Sequence, residues 1–368
     1  MVLLVRLLLI FLVPFMVLAQ NKKLETAEDC QACHEDIYQA WAGSMHARST
    51  LSTNILYRGM FTWASEDTKG AITRQCRNCH TPYYSLVDQD LVTLTDRERP
   101  VDCLFCHSLE NLHAAPVFSG EKYSSKDNDL SEYHRIRARE HFSNEELCML
   151  CHAQLTNPHE VPICVTGEEY YGLKEGQPVC QSCHMPLVQG YRSVESDSAD
   201  LIRSHAFVGP YTPQFLRKSL PLSARYSDEM LTVTIDNSHT PHGYPTGSPL
   251  RMVMLKVIGF DANNEIIYQN WRANPVEEDQ QAVMVRFFAD AGQNFPVPPW
   301  KAHSVRMDTR LKPGEIRTIT YPINQEVKRV SVQLFFLLAP APILNRLQID
   351  DPYLRKAHLI DEISLTIN

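Results

Sequence analysis

The pattern of hydrophobic and polar positions divides the chain into two unlike parts. From about residue 222 onward, apolar and polar residues alternate in runs rich in β-branched side chains, which predicts strands that bury one face. The clearest runs are residues 230–236, 252–260, 316–321 and 330–336. Turn-forming sequences at 261–264 and 313–314 separate them. We therefore predict an antiparallel, immunoglobulin-like β-sandwich over residues 223–368.

Residues 21–222 contain no comparable series of alternating runs. Here the sequence predicts short helices, including one over residues 28–42 and one that ends near His141. Proline in segments such as Thr81-Pro82 and Met185-Pro186 predicts that local elements end there. We expect this half of the chain to consist of short helices and loops.

The first twenty residues, MVLLVRLLLIFLVPFMVLAQ, are almost entirely apolar. Arg6 precedes the apolar core, Pro14 interrupts it, and small residues follow near Ala19, which is typical of a cleaved signal peptide over residues 1–20. An uncleaved membrane anchor is the alternative, because the apolar stretch is nearly long enough to span a bilayer. Cleavage predicts a periplasmic or extracellular protein with no stable membrane span.

Length and charge narrow the classes of function. At 368 residues the chain is longer than one typical domain, so we predict two, over residues 21–222 and 223–368. It has 35 basic and 43 acidic residues and a formal net charge of −8. Because no basic face is evident, we expect no binding of nucleic acid. An acidic protein is expected to prefer partners with basic surfaces.

Ten of the eleven cysteines form five C-x-x-C pairs, and a histidine follows every pair. Two thiols at this spacing reach the two vinyl groups of one porphyrin, and the next residue then lies beneath the iron as its proximal ligand. Zinc knuckles and redox-active dithiols also use C-x-x-C pairs, but neither requires the histidine. The predicted attachment residues of five haem c groups are Cys30, Cys33, Cys76, Cys79, Cys103, Cys106, Cys148, Cys151, Cys180 and Cys183. The predicted proximal ligands are His34, His80, His107, His152 and His184.

All five motifs lie within residues 30–184, so haem is expected to supply much of the core that side chains supply elsewhere. The predicted fold class is therefore α+β, with a haem-dominated, loop- and helix-rich N-terminal domain followed by the β-sandwich. Cys164 belongs to no pair, and we interpret it as a small apolar residue rather than a reactive thiol.

The remaining histidines are numerous enough to give every iron a second histidine ligand. Ligation by two histidines suits rapid electron exchange and leaves no position for a substrate. The ten candidates are His46, His113, His134, His141, His159, His205, His239, His242, His303 and His358. Of these, we interpret His159, His239, His303 and His358 as solvated or packing residues.

The motifs and their flanks resemble the multihaem family of the cytochrome c-554 electron carriers of nitrifying bacteria. The resemblance covers most of the predicted mature chain. The matching segments are CQACHEDIYQAWAGSMH at 30–46, SEYH at 131–134, CQSCHMP at 180–186, RSHAFVG at 203–209 and NSHTPHGYPTG at 237–247. The last segment is similar to the element that opens the β domain of longer members, with Pro241 in place of the usual glycine.

The resemblance implies distal iron ligands in these segments, at His46, His134, His205 and His242. His141 lies seven residues beyond His134, two turns along one face if the segment is helical, so either could serve the same haem. His113, six residues beyond a motif histidine, is the candidate for the remaining iron.

Three functions are compatible with the sequence. The favoured one is electron transfer between extracytoplasmic redox proteins with basic surfaces, by a carrier rather than an enzyme. The second is reduction of nitrite, hydroxylamine or a sulfur oxyanion at one five-coordinate haem, with Arg74, Tyr83 and Tyr84 as candidates near the second motif. The third is a homo-oligomer, in the form of an extracellular cytochrome filament. No glycine-rich phosphate loop or dinucleotide fingerprint indicates another cofactor.

Overall fold

The structure, a computed structural model, describes residues 26–84, 96–112, 121–128, 133–173 and 176–367. The predicted signal peptide and His113 lie outside these ranges. The fold is α+β, as predicted, with a helical N-terminal region followed by antiparallel sheets. Among the described residues, no helix is long and apolar enough to cross a membrane.

The N-terminal region is built from short helices and small two-stranded ladders. Its helices are α1 Ala27–Gln31, α2 Glu35–Ala42, α3 Ile55–Thr68, α4 Thr73–His80, α5 Cys103–His107, α6 Glu146–His152, α7 Thr166–Tyr171, α8 Cys180–His184 and α9 Pro213–Ser219. Its strands are β1 Lys122–Ser124, β2 Ile136–Ala138, β3 Leu155–Thr156, β4 Pro162–Cys164, β5 Leu187–Gly190 and β6 Asp200–Arg203. Helices α4, α5, α6 and α8 all end on a motif histidine. One helical turn therefore brings the two cysteines of each of these motifs to the same face.

Two predicted helices differ from the structure. The helix predicted over residues 28–42 is divided into α1 and α2, because the first motif turns the chain at residues 32–34. The prediction of a helix that ends near His141 is wrong. That segment forms strand β2, which pairs in parallel with β1, followed by a single 3₁₀ turn at Glu140–Phe142. His134 and His141 therefore do not share a helical face.

The C-terminal region contains two larger antiparallel sheets. Its strands are β7 Leu222–Ser227, β8 Met230–Asp236, β9 Met252–Phe260, β10 Ile266–Gln269, β11 Val283–Met284, β12 Arg286–Ala289, β13 Ser304–Asp308, β14 Ile316–Pro322, β15 Arg329–Leu337 and β16 His358–Thr366. Its helices are α10 Pro275–Glu278, α11 Ala341–Arg346 and α12 Pro352–Arg355. One sheet has the order β10-β9-β15-β16, with β11 also paired to β9, and the other has the order β14-β8-β7. Strands β12 and β13 form a separate hairpin.

One apolar core joins these two sheets. Leu231, Val233 and Ile235 of β8 alternate with more exposed residues and are fully buried. They belong to the same cluster as Leu255 of β9 and Val332 of β15, on the opposing sheet. The alternation seen in the sequence is thus the inward face of a two-layer sandwich.

Polar contacts fasten the sandwich to the helical region at several points. The amide of Asn157 donates to the carbonyl oxygens of Pro299 and Ala302, at 2.8 Å in both cases. The indole of Trp300 donates to Asp67 at 2.9 Å, and Lys301 pairs with the same carboxylate at 2.9 Å. These contacts hold the two regions together independently of any cofactor.

Candidate functional site

Four of the five motif histidines are oriented by a hydrogen bond from the ring nitrogen Nδ1 to a backbone carbonyl oxygen. A carbonyl oxygen only accepts, so each Nδ1 that faces one carries the proton, and the lone pair of Nε2 is left free to bind a metal. The Nδ1–O distances are 2.6 Å from His34 to Arg192, 3.1 Å from His80 to Ser49, 2.7 Å from His107 to Tyr123 and 2.6 Å from His184 to Val208. In these motifs the backbone fixes the tautomer that iron ligation requires.

Four of the five motif histidines face a second histidine across a similar gap. The distances between ring centres are 6.1 Å for His34 and His134, 6.2 Å for His107 and His205, 6.3 Å for His152 and His46, and 6.3 Å for His184 and His242. An atom held between two imidazole nitrogens, each about 2 Å away, separates the ring centres by about 6 Å, because each nitrogen lies roughly 1 Å from its ring centre. The four gaps therefore fit one iron each.

The surroundings of His46 and His242 favour the neutral imidazole, which is the form that binds a metal. Burial, assisted by the neighbouring His152, His184 and His205, lowers the pKa of His46 to about 3. Burial also lowers the pKa of His242 to about 4. His205 and His242 each direct Nδ1 at a carbonyl oxygen 3.0 Å away, on Arg203 and Gly243.

His80 of the second motif has a different neighbour. The ring of Tyr57 stacks on it, with 3.8 Å between ring centres and 7° between planes. No described histidine faces His80 across a gap of the kind seen at the other four motifs. The hydroxyl of Tyr57 is buried and has no hydrogen-bond partner, and burial raises its pKa. A group bound beside the second motif would find an unused donor there.

Two of the three residues predicted near a reactive second haem, Tyr83 and Tyr84, have partners within the protein. The hydroxyl of Tyr83 donates to Asp102 at 2.5 Å in a buried contact, and Arg99 pairs with that carboxylate at 2.6 Å. The guanidinium of Arg77 lies over the ring of Tyr84, 4.5 Å from its centre.

The other candidate histidines lie elsewhere. His141 is buried beside Phe142, and its Nε2 has no hydrogen-bond partner. His358 is buried and bonds the carbonyl of Tyr353 at 2.9 Å. His159 and His303 are exposed and stack on each other, with 3.9 Å between ring centres, and His239 is exposed. The structure therefore brings His134, and not His141, opposite a motif histidine.

The five motifs touch one another in a branched order. The side chains of Cys30 and Cys103 lie next to each other, which places the first motif beside the third. Cys106 of the third motif lies in one apolar cluster with Leu147 and Leu150 of α6, the helix that carries the fourth motif. The fourth motif also lies beside the second, where the thiol of Cys79 approaches the carbonyl oxygen of Cys151 at 3.8 Å, and beside the fifth, where Cys148 is next to Cys180.

A half-buried cation lies beside the fourth and fifth motifs. The guanidinium of Arg251 donates to the carbonyl of Thr246 at 2.7 Å and forms no ion pair with a described carboxylate. Burial lowers its pKa, and its charge acts on His152, His184 and His242. Because a buried charge without a counterion is costly, this position suits an anionic group such as a haem propionate.

The residues present therefore fit haem c. The ten motif cysteines are all free thiols, and four pairs of histidines stand at the separation of an axial ligand set. Cys164, outside the motifs, lies at the end of β4 with its sulfur 3.7 Å from the hydroxyl of Thr166.

Sequence reasoning missed three residues of this site. Tyr57 lies on a helix that precedes the second motif, and nothing in its flanks marks it. Arg251 could have been noticed as a lone charge at the start of a strongly apolar strand. Glu169, whose carboxylate accepts from the N–H of Gly243 at 2.8 Å, comes from a short helix far from any motif. Only the tertiary structure places Glu169 beside His242, the residue before Gly243.

Comparisons with known proteins agree with this geometry. Residues 29–108, which include the first three motifs, match the family model of cytochrome c554 and c-prime. The structure is similar to that of a penta-heme cytochrome c552 from Thermochromatium tepidum, with a TM-score of 0.76 and 26% sequence identity. That alignment covers 93% of this chain and 99% of the other. A comparison with curated protein sequences gives no match.

Proposed function

We propose that the chain is a multihaem c-type cytochrome that transfers electrons through five haem c groups between extracytoplasmic redox partners, because residues 29–108 match the cytochrome c554 and c-prime family and the fold is similar to that of a penta-heme cytochrome. The observation that carries this proposal is the set of four facing histidine pairs, with ring centres 6.1–6.3 Å apart. Haem c supplies reversible one-electron chemistry at an iron that keeps both axial ligands in either oxidation state.

The distal ligands in this proposal are His134, His205, His46 and His242, for the irons of the first, third, fourth and fifth motifs. His113 is the proposed ligand of the second iron. The contacts between motifs support a path that runs from the first through the third to the fourth and there divides toward the second and the fifth. Electrons that pass between any two ends of this arrangement cross the fourth motif.

The proposed partners are redox proteins with basic surfaces. The chain has a formal net charge of −8, and the propionates of five haems add roughly −5 when oxidised and −10 when reduced. Complementary charge accelerates encounter, so we propose that electron exchange with such a partner slows as ionic strength rises. An extracellular filament is the alternative assembly, and the size of the native protein in solution separates the two.

The mature protein is expected to exceed the mass of its polypeptide by five haem groups. All five motifs retain both thiols and the following histidine, and export would deliver the chain to the compartment where haem is attached. Intact mass spectrometry measures this number directly. Four or fewer groups on fully matured protein would contradict the proposed cofactor content.

One observation favours a second function, reduction of a small substrate at the haem of the second motif. No described histidine faces His80 across an axial gap, and the buried hydroxyl of Tyr57 is an unused donor beside it. If His113 does not bind this iron, the haem would have an open position at which nitrite or hydroxylamine could bind and be reduced.

We expect four of the five haems to resist cyanide in the oxidised protein and carbon monoxide in the reduced protein at concentrations that saturate a haem with an open position, because two histidines would occupy both axial positions. The haem of the second motif decides between the two functions. If it also fails to bind either ligand, and His113→Ala makes it bind, the protein is a carrier with five bis-histidine irons. Stoichiometric binding by the unaltered protein, together with turnover of nitrite or hydroxylamine, would instead assign a reductase.

A further inference from the structure

The peptide group between His242 and Gly243 is held from both sides. Its carbonyl oxygen accepts from the amide of Asn237 at 3.1 Å, and its N–H donates to a carboxylate oxygen of Glu169 at 2.8 Å. Asn237 belongs to the sandwich and is fully buried, whereas Glu169 lies on α7 of the helical region. The Nδ1 of His242 donates to the carbonyl oxygen of Gly243 at 3.0 Å. The ring is therefore tied to the Gly243–Tyr244 peptide, which directly follows the peptide that the two regions hold.

Glu169 is itself fixed. Its second carboxylate oxygen pairs with Arg310 at 2.9 Å, and the side chains of Glu169 and Arg310 are only 15% and 12% exposed. Arg310 is in turn held by Asp308 at 2.8 Å. A partly buried, charge-assisted contact of this kind is stronger and more directional than an exposed one. The carboxylate thus acts as a rigid acceptor rather than a mobile surface group.

Two further contacts show that α7 is fitted to this turn. A Cβ atom at Gly243 would lie 2.8 Å from the Oε1 of Glu169, so only glycine lets the carboxylate approach the backbone there. At the start of the same helix, the hydroxyl of Thr166 shares a hydrogen bond of 2.7 Å with Thr246. Helix α7 therefore contacts the turn on both sides of Tyr244.

We propose that Glu169 is a positioning residue for His242, which holds the imidazole opposite His184 by fixing the intervening peptide from the other region of the chain. The inference rests on the proposed function, because it requires His242 to bind the iron of the fifth motif. Glu169 does not contact the ring, and it acts only through the N–H of Gly243. Loss of a group that orients a metal ligand lowers the affinity of that ligand by roughly 10- to 100-fold.

The test uses the haem-loaded, full-length protein and three variants of α7. Glu169→Ala removes the acceptor, and Glu169→Gln keeps the shape but weakens acceptance from Gly243 and pairing with Arg310. Glu168→Ala is the matched control, because Glu168 is exposed and accepts from Gln154 at 2.9 Å without contacting the turn. A His242→Ala variant identifies which haem signal belongs to the fifth motif.

The measurements are low-temperature EPR of the oxidised protein and cyanide titration. A haem that already binds cyanide readily in the unaltered protein is left out of the comparison. We expect the cyanide concentration that half-converts the His242 haem to fall roughly 10- to 100-fold in Glu169→Ala and by less in Glu169→Gln. Glu168→Ala should match the unaltered protein. Circular dichroism tests whether each variant is folded.

Two results would overturn the inference. The first contradicts only the role of Glu169, and the second also contradicts the ligation by His242. If His242→Ala opens one haem while both Glu169 variants titrate like the unaltered protein, Glu169 has no positioning role, and the proposed ligation stands. If His242→Ala keeps every haem signal of the unaltered protein, His242 is not a ligand. The ligand assignment and the inference then both fail.

Discussion

Replacing His242 with alanine is expected to convert one haem from low-spin to high-spin and to leave the other four unchanged. His242 is the described residue whose ring faces His184, 6.3 Å away between ring centres, and alanine offers no nitrogen to the iron. The converted haem should also bind cyanide, and its reduction potential should change because an axial ligand is lost. EPR and a potentiometric titration followed by absorbance measure both effects.

The control for this change is His239→Ala. His239 lies three residues earlier in the same segment and is exposed, so its loss should leave all haem signals as they were. We expect no extra proteolysis between residues 220 and 227 in the His242 variant. Leu220 is fully buried, and contacts such as those of Asn157 with Pro299 and Ala302 still join the two regions. Five unchanged low-spin haems would show that His242 only packs within its turn.

Replacing His46 with methionine is expected to raise the potential of the fourth haem and to trap electrons at the branch of the path. His46 faces His152 of the fourth motif, which touches the second, third and fifth motifs. Methionine with histidine gives a higher potential than two histidines. Each ~59 mV increase in the reduction potential of the fourth haem favours its reduced form about tenfold. The rate at which the electron leaves this haem for the others should fall in proportion.

The matched control is the same change at the first motif, His134→Met. His134 faces His34, and among the described residues the first motif lies beside the third, so a trap there leaves the contacts among the second, third, fourth and fifth motifs intact. Flash reduction by less than one electron per molecule, followed in the α bands, measures the redistribution in both variants. Equal slowing in the two variants would contradict the branched order with the fourth motif at its centre.

Most of the cofactor chemistry could be predicted from sequence, because it is local. A thioether pair and its proximal histidine span five consecutive residues, so no information about distant segments is needed to find them. Strands β8 and β9 were also predicted with their observed bounds, since alternation over seven to nine residues is a strong local signal. The helix predicted before His141 failed for the opposite reason, because pairing with β1 overrides the local preference.

The histidine that faces each motif histidine is determined by the tertiary structure. His34 and His134 lie one hundred residues apart in sequence, and nothing in either segment states that their rings will face each other. The resemblance to a family supplied His46, His134, His205 and His242 as candidates, but the pairing with particular motifs came only from the folded chain. The same holds for the stacking of Tyr57 on His80, which joins a helix to the motif that follows it.

The sequence by itself determined the five C-x-x-C-H motifs from which five haem groups are proposed, and where the sandwich strands run, because each of these depends on neighbours within a few positions. Only the tertiary structure decided which histidines face each other, the order in which the motifs touch and the contact of Glu169 with the turn that carries His242. The physical reason is that a metal ligand acts over about 2 Å. Its placement is fixed by packing between distant segments rather than by the propensity of any one of them.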